Sequence, residues 1–335
     1  MPEQSWHGRP YYSLDAWCKN THQHKCYKIA LNAHMTCPNR DGSLGSRGCI
    51  FCSAGGSGDF AVELPGPDNA GGDIEGQLEA GIRLIAGKLP GAQERVLSDA
   101  EAGSGIEASP CIIAYFQAYT NTYAPLPYLE QVFTRALDSP LVCGISIATR
   151  PDCLPEDVLL LLENLKKRCP GKFVWVELGL QTIHEKTAAF IRRGYALPCF
   201  EEAMLRLRRI GIPVIVHVIL GLPGESETQM LETVRYLNAF RPFGVKLQLL
   251  HVLEGTDLAD CYRRGEFTVL SMEEYLDILI KCLESLSPDI VIHRVTGDGP
   301  KKLLIAPEWS ANKRAVLNTL HELMRERGSC QGSRM

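Results

Sequence analysis

Apolar runs of strand length alternate with amphipathic helical segments along most of the chain. The runs are rich in β-branched residues and lie at 26–31, 111–116, 142–149, 173–180, 213–221 and 245–250. Segments with helical apolar spacing follow most of them, among them "LPYLEQVFTRAL" and "PEDVLLLLENLKKR". Strands that alternate with helices predict a parallel sheet with helical crossovers, so the sequence predicts an α/β fold of six strand–helix units.

Polar or glycine-rich sequence follows each predicted strand. The first strand leads into "CPNRDGSLGSRGCIFC" and the second into "QAYTNTYAP". The later strands end at "TRPD", "QT", "GLPGE" and "HVLEGT", and Glu177 lies inside the fourth strand. Because the loops after the strands of a parallel barrel meet at one end, we expect these polar side chains to form one site.

The alternating pattern changes after Gly255. An amphipathic helix is predicted at 272–286, a further strand at 289–298 and a closing helix at 310–327. Earlier in the chain, the stretch 90–110 is rich in Gly, Ala, Ser and acidic residues. This composition predicts a mobile surface insertion.

These patterns divide the chain into three segments. We expect an amino-terminal extension over 1–28 and a partial barrel over 29–255 that carries the insertion. A carboxyl-terminal α/β extension over 256–335 is expected to pack on the barrel. The sequence shows no internal repeat and no flexible linker that would separate independent domains.

Composition and charge narrow the class of protein. The net charge of −4 over 335 residues argues against a broad nucleic-acid-binding face and allows a local basic patch. The first ten residues lack the apolar segment of a signal peptide. The run Ile210 to Pro223 is interrupted by Pro213 and His217 and is shorter than the roughly 20 residues that span a bilayer. We expect a soluble cytoplasmic protein that does not bind membranes.

The chain has 13 cysteines, and in a reducing cytosol we expect most of them to be thiols. Five lie in or beside apolar segments and are expected to be small core side chains: Cys111, Cys143, Cys169, Cys199 and Cys282. The segment "CKNTHQHKC" holds Cys18, His22, His24 and Cys26, which are metal-ligand residue types. We interpret it as a polar connector and assign no metal to it.

Three further cysteines, Cys37, Cys49 and Cys52, lie around a glycine-rich loop. Glycines allow such a loop to turn its thiolates toward one centre. An iron–sulfur cluster held by three cysteines leaves one iron open to a substrate or cofactor. Alternatively, His34 completes a closed zinc site of three cysteines and one histidine. The loop alone leaves both metals open.

Together, the motifs resemble those of the radical S-adenosylmethionine (SAM) superfamily. Within it, the chain is similar to a bacterial family related to the radical SAM half of the elongator catalytic subunit. The resemblance covers about residues 10–300 and lies in "AHMTCPNRDGSLGSRGCIFCSAGGSGDFA", "YFQAYTNTYAP", "SIATRPDCL", "VELGLQT", "IRRGY", "VHVILGLPGE" and "LHVLEGTDL". The spacing C-x11-C-x2-C departs from the usual C-x3-C-x2-C and matches the elongator-like branch.

The resemblance implies a partial (β/α)6 TIM-like barrel and two cofactors. A [4Fe-4S] cluster would be held by Cys37, Cys49 and Cys52, with SAM chelating the open iron through its amino and carboxylate groups. One electron, from a donor such as flavodoxin or ferredoxin, would cleave SAM to methionine and a 5′-deoxyadenosyl radical. This radical would abstract hydrogen from the substrate. The chemistry belongs to the cofactors, and the barrel positions them.

The resemblance also suggests which residues hold SAM. In relatives, the position of Phe51 lies near the adenine, and the loop after the second strand meets the SAM amino group. Arg193 matches an arginine that pairs with the SAM carboxylate, for which a planar guanidinium is suited. Gly221 lies in a glycine-flanked stretch that packs on the adenine. The candidate cofactor-binding residues are Phe51, Gln117, Tyr119, Thr120, Arg150, Glu177, Gln181, Arg193, His217 and Gly221.

For several of these residues, an ordinary structural role is the alternative to binding SAM. Arg193 could be a solvated charge at a helix end, and His217 could be a core histidine bonded to a backbone carbonyl. Arg150 could simply pair with Asp152. For Glu177 a functional role is favoured, because burial of a carboxylate costs several kcal/mol unless it is paired or takes part in function.

The resemblance suggests a tRNA nucleoside as substrate, with wobble uridine as the candidate. The acetyltransferase half of the elongator subunit is missing from this sequence, so its full reaction is not implied. Basic clusters at 166–168 and 206–209 and at Lys301 and Lys302 are ordinary for solvated outer faces. The alternatives are a radical SAM enzyme that acts on a small metabolite or protein, and a zinc-stabilised, non-catalytic binding module. No catalytic residue is assigned.

Overall fold

The computed structural model describes residues 6–56, 58–62, 73–85, 111–297 and 299–335, so the predicted insertion over 90–110 lies outside them. The strands are β1 Cys26–Leu31, β2 Cys111–Phe116, β3 Val142–Thr149, β4 Phe173–Gln181, β5 Val214–Leu220, β6 Gly244–Leu249, β7 Val252–Leu253, β8 Val291–Arg294 and β9 Leu304–Ala306. The helices are α1 Leu14–His22, α2 Ile74–Ile85, α3 Leu126–Asp138, α4 Glu156–Arg168, α5 Glu185–Phe190, α6 Leu197–Arg209, α7 Glu227–Phe240, α8 Asp257–Arg263, α9 Met272–Ser285 and α10 Lys313–Glu326. None of these helices has both the length and the apolar character needed to cross a bilayer.

Seven strands form one parallel sheet in the order β1-β2-β3-β4-β5-β6-β8. β1 and β8 are its two edges, and the sheet curls into a half-barrel with helices around it. The predicted partial α/β barrel is confirmed. The segment 256–335 contributes β8 to this sheet, and β9 pairs with β7 in a small antiparallel sheet.

The apolar runs form strands because both faces of the sheet are covered. Every residue of β2 is buried, as is typical of parallel strands between a lumen and outer helices. Outside the sheet, Phe116 packs edge to face on Phe133 of α3, with ring centroids 5.0 Å apart. Burial of one such side chain stabilises the fold by roughly 1.5–3 kcal/mol.

Helix α1 covers the end of the half-barrel at which the parallel strands begin. It begins after Ser13, whose side chain accepts a hydrogen bond from the Ala16 amide. Its Trp17 ring packs edge to face on Trp175 at 5.1 Å and on Phe243 at 5.3 Å. Aromatic side chains therefore fill much of this end.

The expectation that Cys111 and Cys143 are separate core thiols is wrong, because the structure joins them in a disulfide between β2 and β3. These strands are neighbours, and the two Cα atoms lie 5.4 Å apart, within the range that a disulfide requires. Cys282 is buried as expected, whereas Cys169 and Cys199 are partly exposed.

Candidate active site

A cavity opens at the carboxyl ends of the strands, where the sequence predicts one site. Among the predicted residues, the structure brings to its wall Cys37, Cys49, Phe51, Cys52, Gln117, Tyr119, Thr120, Arg150, Glu177, Gln181, Arg193 and His217. Gly221 is not part of this wall. Its backbone has φ +85°, its amide donates to Sδ of Met230, and an added Cβ would meet Leu270.

The cysteine loop folds back on itself through backbone hydrogen bonds. The Arg40 amide donates to the Cys37 carbonyl at 2.8 Å, and the Gly48 amide donates to the Asn39 carbonyl at 2.7 Å. Gly48 has φ +74°, and a Cβ there would lie 2.9 Å from Nε of Arg40. The Arg40 guanidinium donates to the carbonyls of Cys52 and Ser53 and so joins the two ends of the loop.

Asn39 connects the cysteine loop to the segment "IRRGY". Its Nδ2 atom donates to the Arg192 carbonyl at 2.7 Å and to Sγ of Cys49 at 3.4 Å. Gly194, with φ +84°, leaves room for Asn39, since a Cβ there would lie 2.7 Å from its Oδ1. The orientation of the Cys49 thiol thus depends on Asn39 of the same loop and on the distant segment around Arg192.

The three thiols fit a metal cluster better than a single zinc ion. Their sulfur atoms are not all within 4.8 Å of one another, whereas tetrahedral zinc with bonds of about 2.3 Å brings sulfurs to about 3.8 Å. His34, the proposed fourth zinc ligand, is exposed and does not line the cavity. Burial raises the pKa of Cys49 to about 12, and Cys52 and Cys37 add to the rise. A bound cation would stabilise these thiolates.

A buried ionic network lies at the floor of the cavity, around the Glu177 carboxylate. Lys28 Nζ lies 2.7 Å from Oε1 and His217 Nε2 lies 2.7 Å from Oε2, and Lys246 Nζ also contacts Oε2. Ser146 Oγ donates to Oε1 at 2.6 Å. The network explains how a charged residue is accommodated inside an apolar strand.

Opposing effects set the protonation states in this network. Burial acts to raise the pKa of Glu177, but the charges of Lys246 and Lys28 outweigh it and hold this pKa well below its usual value. Burial, and then the Lys246 charge, lower the pKa of His217 to about 4. The imidazole is therefore neutral at pH 7, with Nε2–H donating to Glu177 and Nδ1 accepting from Gln248 at 3.2 Å.

The two predicted arginines are buried and hold the loops around the cavity. Arg193 is 2% exposed, so it is not a solvated charge, and it donates to the carbonyls of Thr182 at 2.6 Å and Tyr195 at 3.0 Å. Arg150 forms a two-point ion pair with Asp152 at 2.9 and 2.7 Å and donates to the Arg193 carbonyl at 3.0 Å. The expected Arg150–Asp152 pair is present.

The loop after β2 contributes another part of the cavity wall. Tyr119, with φ +61°, donates from its hydroxyl to the Ala54 carbonyl at 2.6 Å. Its ring lies against Gly56, where no Cβ could fit, and 5.7 Å from the Arg40 guanidinium carbon. Thr120 is buried, and its amide donates to the Thr36 carbonyl. The cysteine loop and this loop therefore support each other.

The comparisons with protein families decide the class. The model of the radical SAM superfamily matches residues 44–237, and the model of the radical SAM C-terminal domain matches residues 242–326. The first match alone spans more than half of the chain. The chain belongs to the radical SAM superfamily. Members of this superfamily use an iron–sulfur cluster and SAM, so both predicted cofactors are confirmed.

Relatives of this radical SAM enzyme include uncharacterised and tRNA-related proteins. Protein YtqA of Bacillus subtilis is 40% identical over 322 residues, 96% of this chain and 92% of that protein. The tRNA uridine(34) acetyltransferase of Methanocaldococcus jannaschii is 30% identical over 167 residues, 48% of this chain and 29% of that protein. The Elp3 protein of Methanocaldococcus infernus superposes with a TM-score of 0.63 at 19% identity, covering 91% of this chain and 64% of that chain. The last comparison shows the fold.

Sequence reasoning missed several residues that line the cavity of this radical SAM enzyme. They are Arg40, Tyr115, Tyr195, Lys246 and Arg294. For Lys246 a signal was present, because "VKLQLL" alternates polar and apolar residues and so directs Lys246 and Gln248 to one face. For Arg294 the sequence predicted the strand over 289–298 but not its pairing with β6 in the main sheet.

Proposed function

We propose that this radical SAM enzyme modifies a tRNA nucleoside, with wobble uridine as the candidate. One observation carries the proposal: three cysteine thiols and several cationic side chains line the same cavity. In addition, 167 residues of the chain are 30% identical to a tRNA uridine(34) acetyltransferase. The proposal of a tRNA substrate depends on this sequence similarity.

Cys37, Cys49 and Cys52 are the proposed ligands of the cluster. A cluster held by these residues would, together with SAM, supply the radical chemistry of the superfamily. The family match begins at residue 44 and so includes Cys49 and Cys52. The role of Cys37 rests on its position in the cavity wall and on its closeness to Cys49, whose pKa is raised further by the charge of Cys37.

The remaining predicted residues are proposed to bind SAM. The loop after β2, with Gln117, Tyr119 and Thr120, would hold the amino group. Arg150 and Arg193 would favour the carboxylate, and Phe51 would pack near the adenine. The roles of Gln181, His217 and Gly221 as SAM contacts remain predictions.

The types of side chain in the cavity wall support an anionic ligand. Its cationic wall residues are Arg40, Arg150, Arg193, Lys246 and Arg294, whereas Glu177 is the carboxylate among the wall residues. The chain as a whole is negative, at −4. Three of these cations are paired within the protein, Arg150 with Asp152, Arg193 with Glu185 and Lys246 with Glu177, so much of the positive charge is balanced. Guanidinium donors in a cleft still suit a carboxylate or a phosphate, such as the SAM carboxylate or a nucleotide phosphate.

The substrate proposal is tested with tRNA transcripts and the cluster-loaded enzyme. Formation of 5′-deoxyadenosine from SAM and a reductant is measured without tRNA, with a transcript that has uridine at position 34, and with the same transcript carrying cytidine there. We expect the uridine transcript alone to increase the rate, and the increase to fall steeply with salt. Equal rates in all three samples would contradict the tRNA proposal and direct attention to a small metabolite or protein substrate.

A further inference from the structure

A second group of sulfur ligands lies at the opposite end of the half-barrel from the cavity. Cys26 and Cys111 are the first residues of β1 and β2 and are paired in register. Cys18 and His22 lie on α1, which covers this end. The first residues of parallel strands form the end away from the active site. We name Cys18, His22, Cys26 and Cys111 the amino-terminal ligand group.

The geometry of this group suits one metal ion. The ligand atoms of His22, Cys26 and Cys111 all lie within 4.8 Å of one another, and no other group of this kind occurs among the described residues. Cys18 and His22 are four residues apart on a helix and so share one face. The thiols of Cys18 and Cys26 are hydrogen-bonded to each other. Cys18 therefore lies beside Cys26 and is the candidate fourth donor, although its sulfur atom is not within 4.8 Å of all three other ligand atoms.

The imidazole of His22 provides an independent indication. Its Nε2 atom is buried from solvent and has no hydrogen-bond partner among the described residues. Its ring is held by aromatic neighbours, 5.4 Å from Trp17 and 6.0 Å from Phe173. A buried nitrogen without a partner is costly, and a metal bond would remove that cost.

The disulfide determines when this group can bind a metal. Cys111 is joined to Cys143, and a disulfide sulfur is not a thiolate ligand. A dithiol reductant would convert the bond to two thiols and become a disulfide itself, so two electrons and two protons are transferred. Binding of a metal ion by Cys18, Cys26 and Cys111 would then release the protons of these three thiols.

We propose that the amino-terminal ligand group binds one Zn²⁺ ion when the Cys111–Cys143 disulfide is reduced. Three thiolates and one imidazole are the donors of a closed structural zinc site, and soft thiolates disfavour Ca²⁺ and Mg²⁺. The ion would fasten α1 to the first two strands of the sheet. This site is separate from the proposed cluster cysteines and does not depend on the reaction catalysed.

The test is metal analysis of the full chain after anaerobic reconstitution of the cluster, so that iron and zinc are counted in the same sample. In a reducing buffer we expect about one zinc per chain that chelators remove slowly. Cys26→Ser and His22→Ala should each lose most of this zinc and keep their iron, whereas Cys37→Ala should lose iron and keep zinc. His24→Ala is the matched control, and it should keep both metals.

Cys143→Ser separates the ligand role from folding, because it removes the disulfide and none of the four donors. This variant should bind zinc without a reductant, whereas the oxidised unmodified chain should bind little until a dithiol is added. Cobalt(II) added to the reduced chain should give the visible bands of tetrahedral thiolate coordination. Absence of both zinc and these bands in the reduced chain, or zinc that persists in the Cys26 and His22 variants, would overturn the proposal.

Discussion

Glu177 and His217 meet on neighbouring strands β4 and β5, with Nε2 of the imidazole 2.7 Å from the carboxylate. The same carboxylate contacts the ammonium groups of Lys28 and Lys246. One buried anion therefore compensates two cations at the floor of the cavity, and the neutral histidine completes its hydrogen bonds. This arrangement leads to two predictions about stability.

Replacement of Glu177 by Gln should destabilise the fold strongly. The amide leaves the buried Lys246 ammonium and the partly exposed Lys28 ammonium without their anion. The loss of one partner from a buried ion pair costs about 3–5 kcal/mol. The free energy of unfolding in urea measures this loss. Glu156→Gln is the matched control, since Glu156 pairs with Arg206 at the surface and should cost less than about 1 kcal/mol. A similar loss in both variants would contradict the special role of the buried anion.

The stability of the protein should fall as the pH is lowered from 7 toward 4. The pKa of His217 is lowered from 6.5 to about 4 in the folded state. Between pH 6.5 and pH 4, His217 binds a proton in the unfolded chain but not in the folded chain. Its contribution to stability is therefore present above pH 6.5 and is lost as the pH falls toward 4. The shift corresponds to roughly 3 kcal/mol.

His217→Gln keeps a polar group beside Glu177 and removes this titration. Its unfolding free energy should therefore depend less on pH than that of the unmodified protein, as measured in urea at pH 7 and pH 5. His34→Gln changes an exposed histidine and serves as control, with the pH dependence expected to be unchanged. An unchanged slope in the His217 variant would show that this residue is not held neutral.

Gly194→Ala should weaken retention of the cluster. Its Cβ would lie 2.7 Å from Oδ1 of Asn39, which orients the Cys49 thiol. Gly255→Ala is the matched control, because Gly255 also has a positive φ, +74°, and an added Cβ has open space. Both substitutions should cost about 1–2 kcal/mol of backbone strain. Iron content after gel filtration should fall severalfold in the first variant and stay unchanged in the second.

The sequence predicted the strands of the half-barrel well because their apolar runs are continuous. The runs at 111–116 and 142–149 coincide with β2 and β3 to the residue. Burial on both faces makes such runs long and uniform, so their ends are clear. The prediction of one polar end followed from the parallel order of the strands, and the cavity wall confirms where most of these residues lie.

Pairing between distant residues could not be predicted in this way. Lys28 and Lys246 are 149 and 69 residues away from Glu177 in sequence. The alternation of polar and apolar residues shows on which face of a strand a side chain lies, but not which distant residue it contacts. The Cys111–Cys143 disulfide depends on the register of β2 against β3, which includes a shift at Ile112. Gly221 was placed at the site from a motif; it is not part of the cavity wall, and its contact with SAM stays a prediction.

The most direct test of the central claim is the reductive cleavage of SAM by the reconstituted chain and its cysteine variants. Anaerobic samples are analysed for iron, sulfide and zinc, and 5′-deoxyadenosine is measured after addition of SAM and dithionite. We expect about four irons per chain and formation of 5′-deoxyadenosine, both lost in Cys37→Ala, Cys49→Ala and Cys52→Ala. Cys330→Ala, which changes an exposed cysteine, should keep both. Iron and cleavage that persist without Cys37, or zinc in place of iron at these three cysteines, would contradict the account.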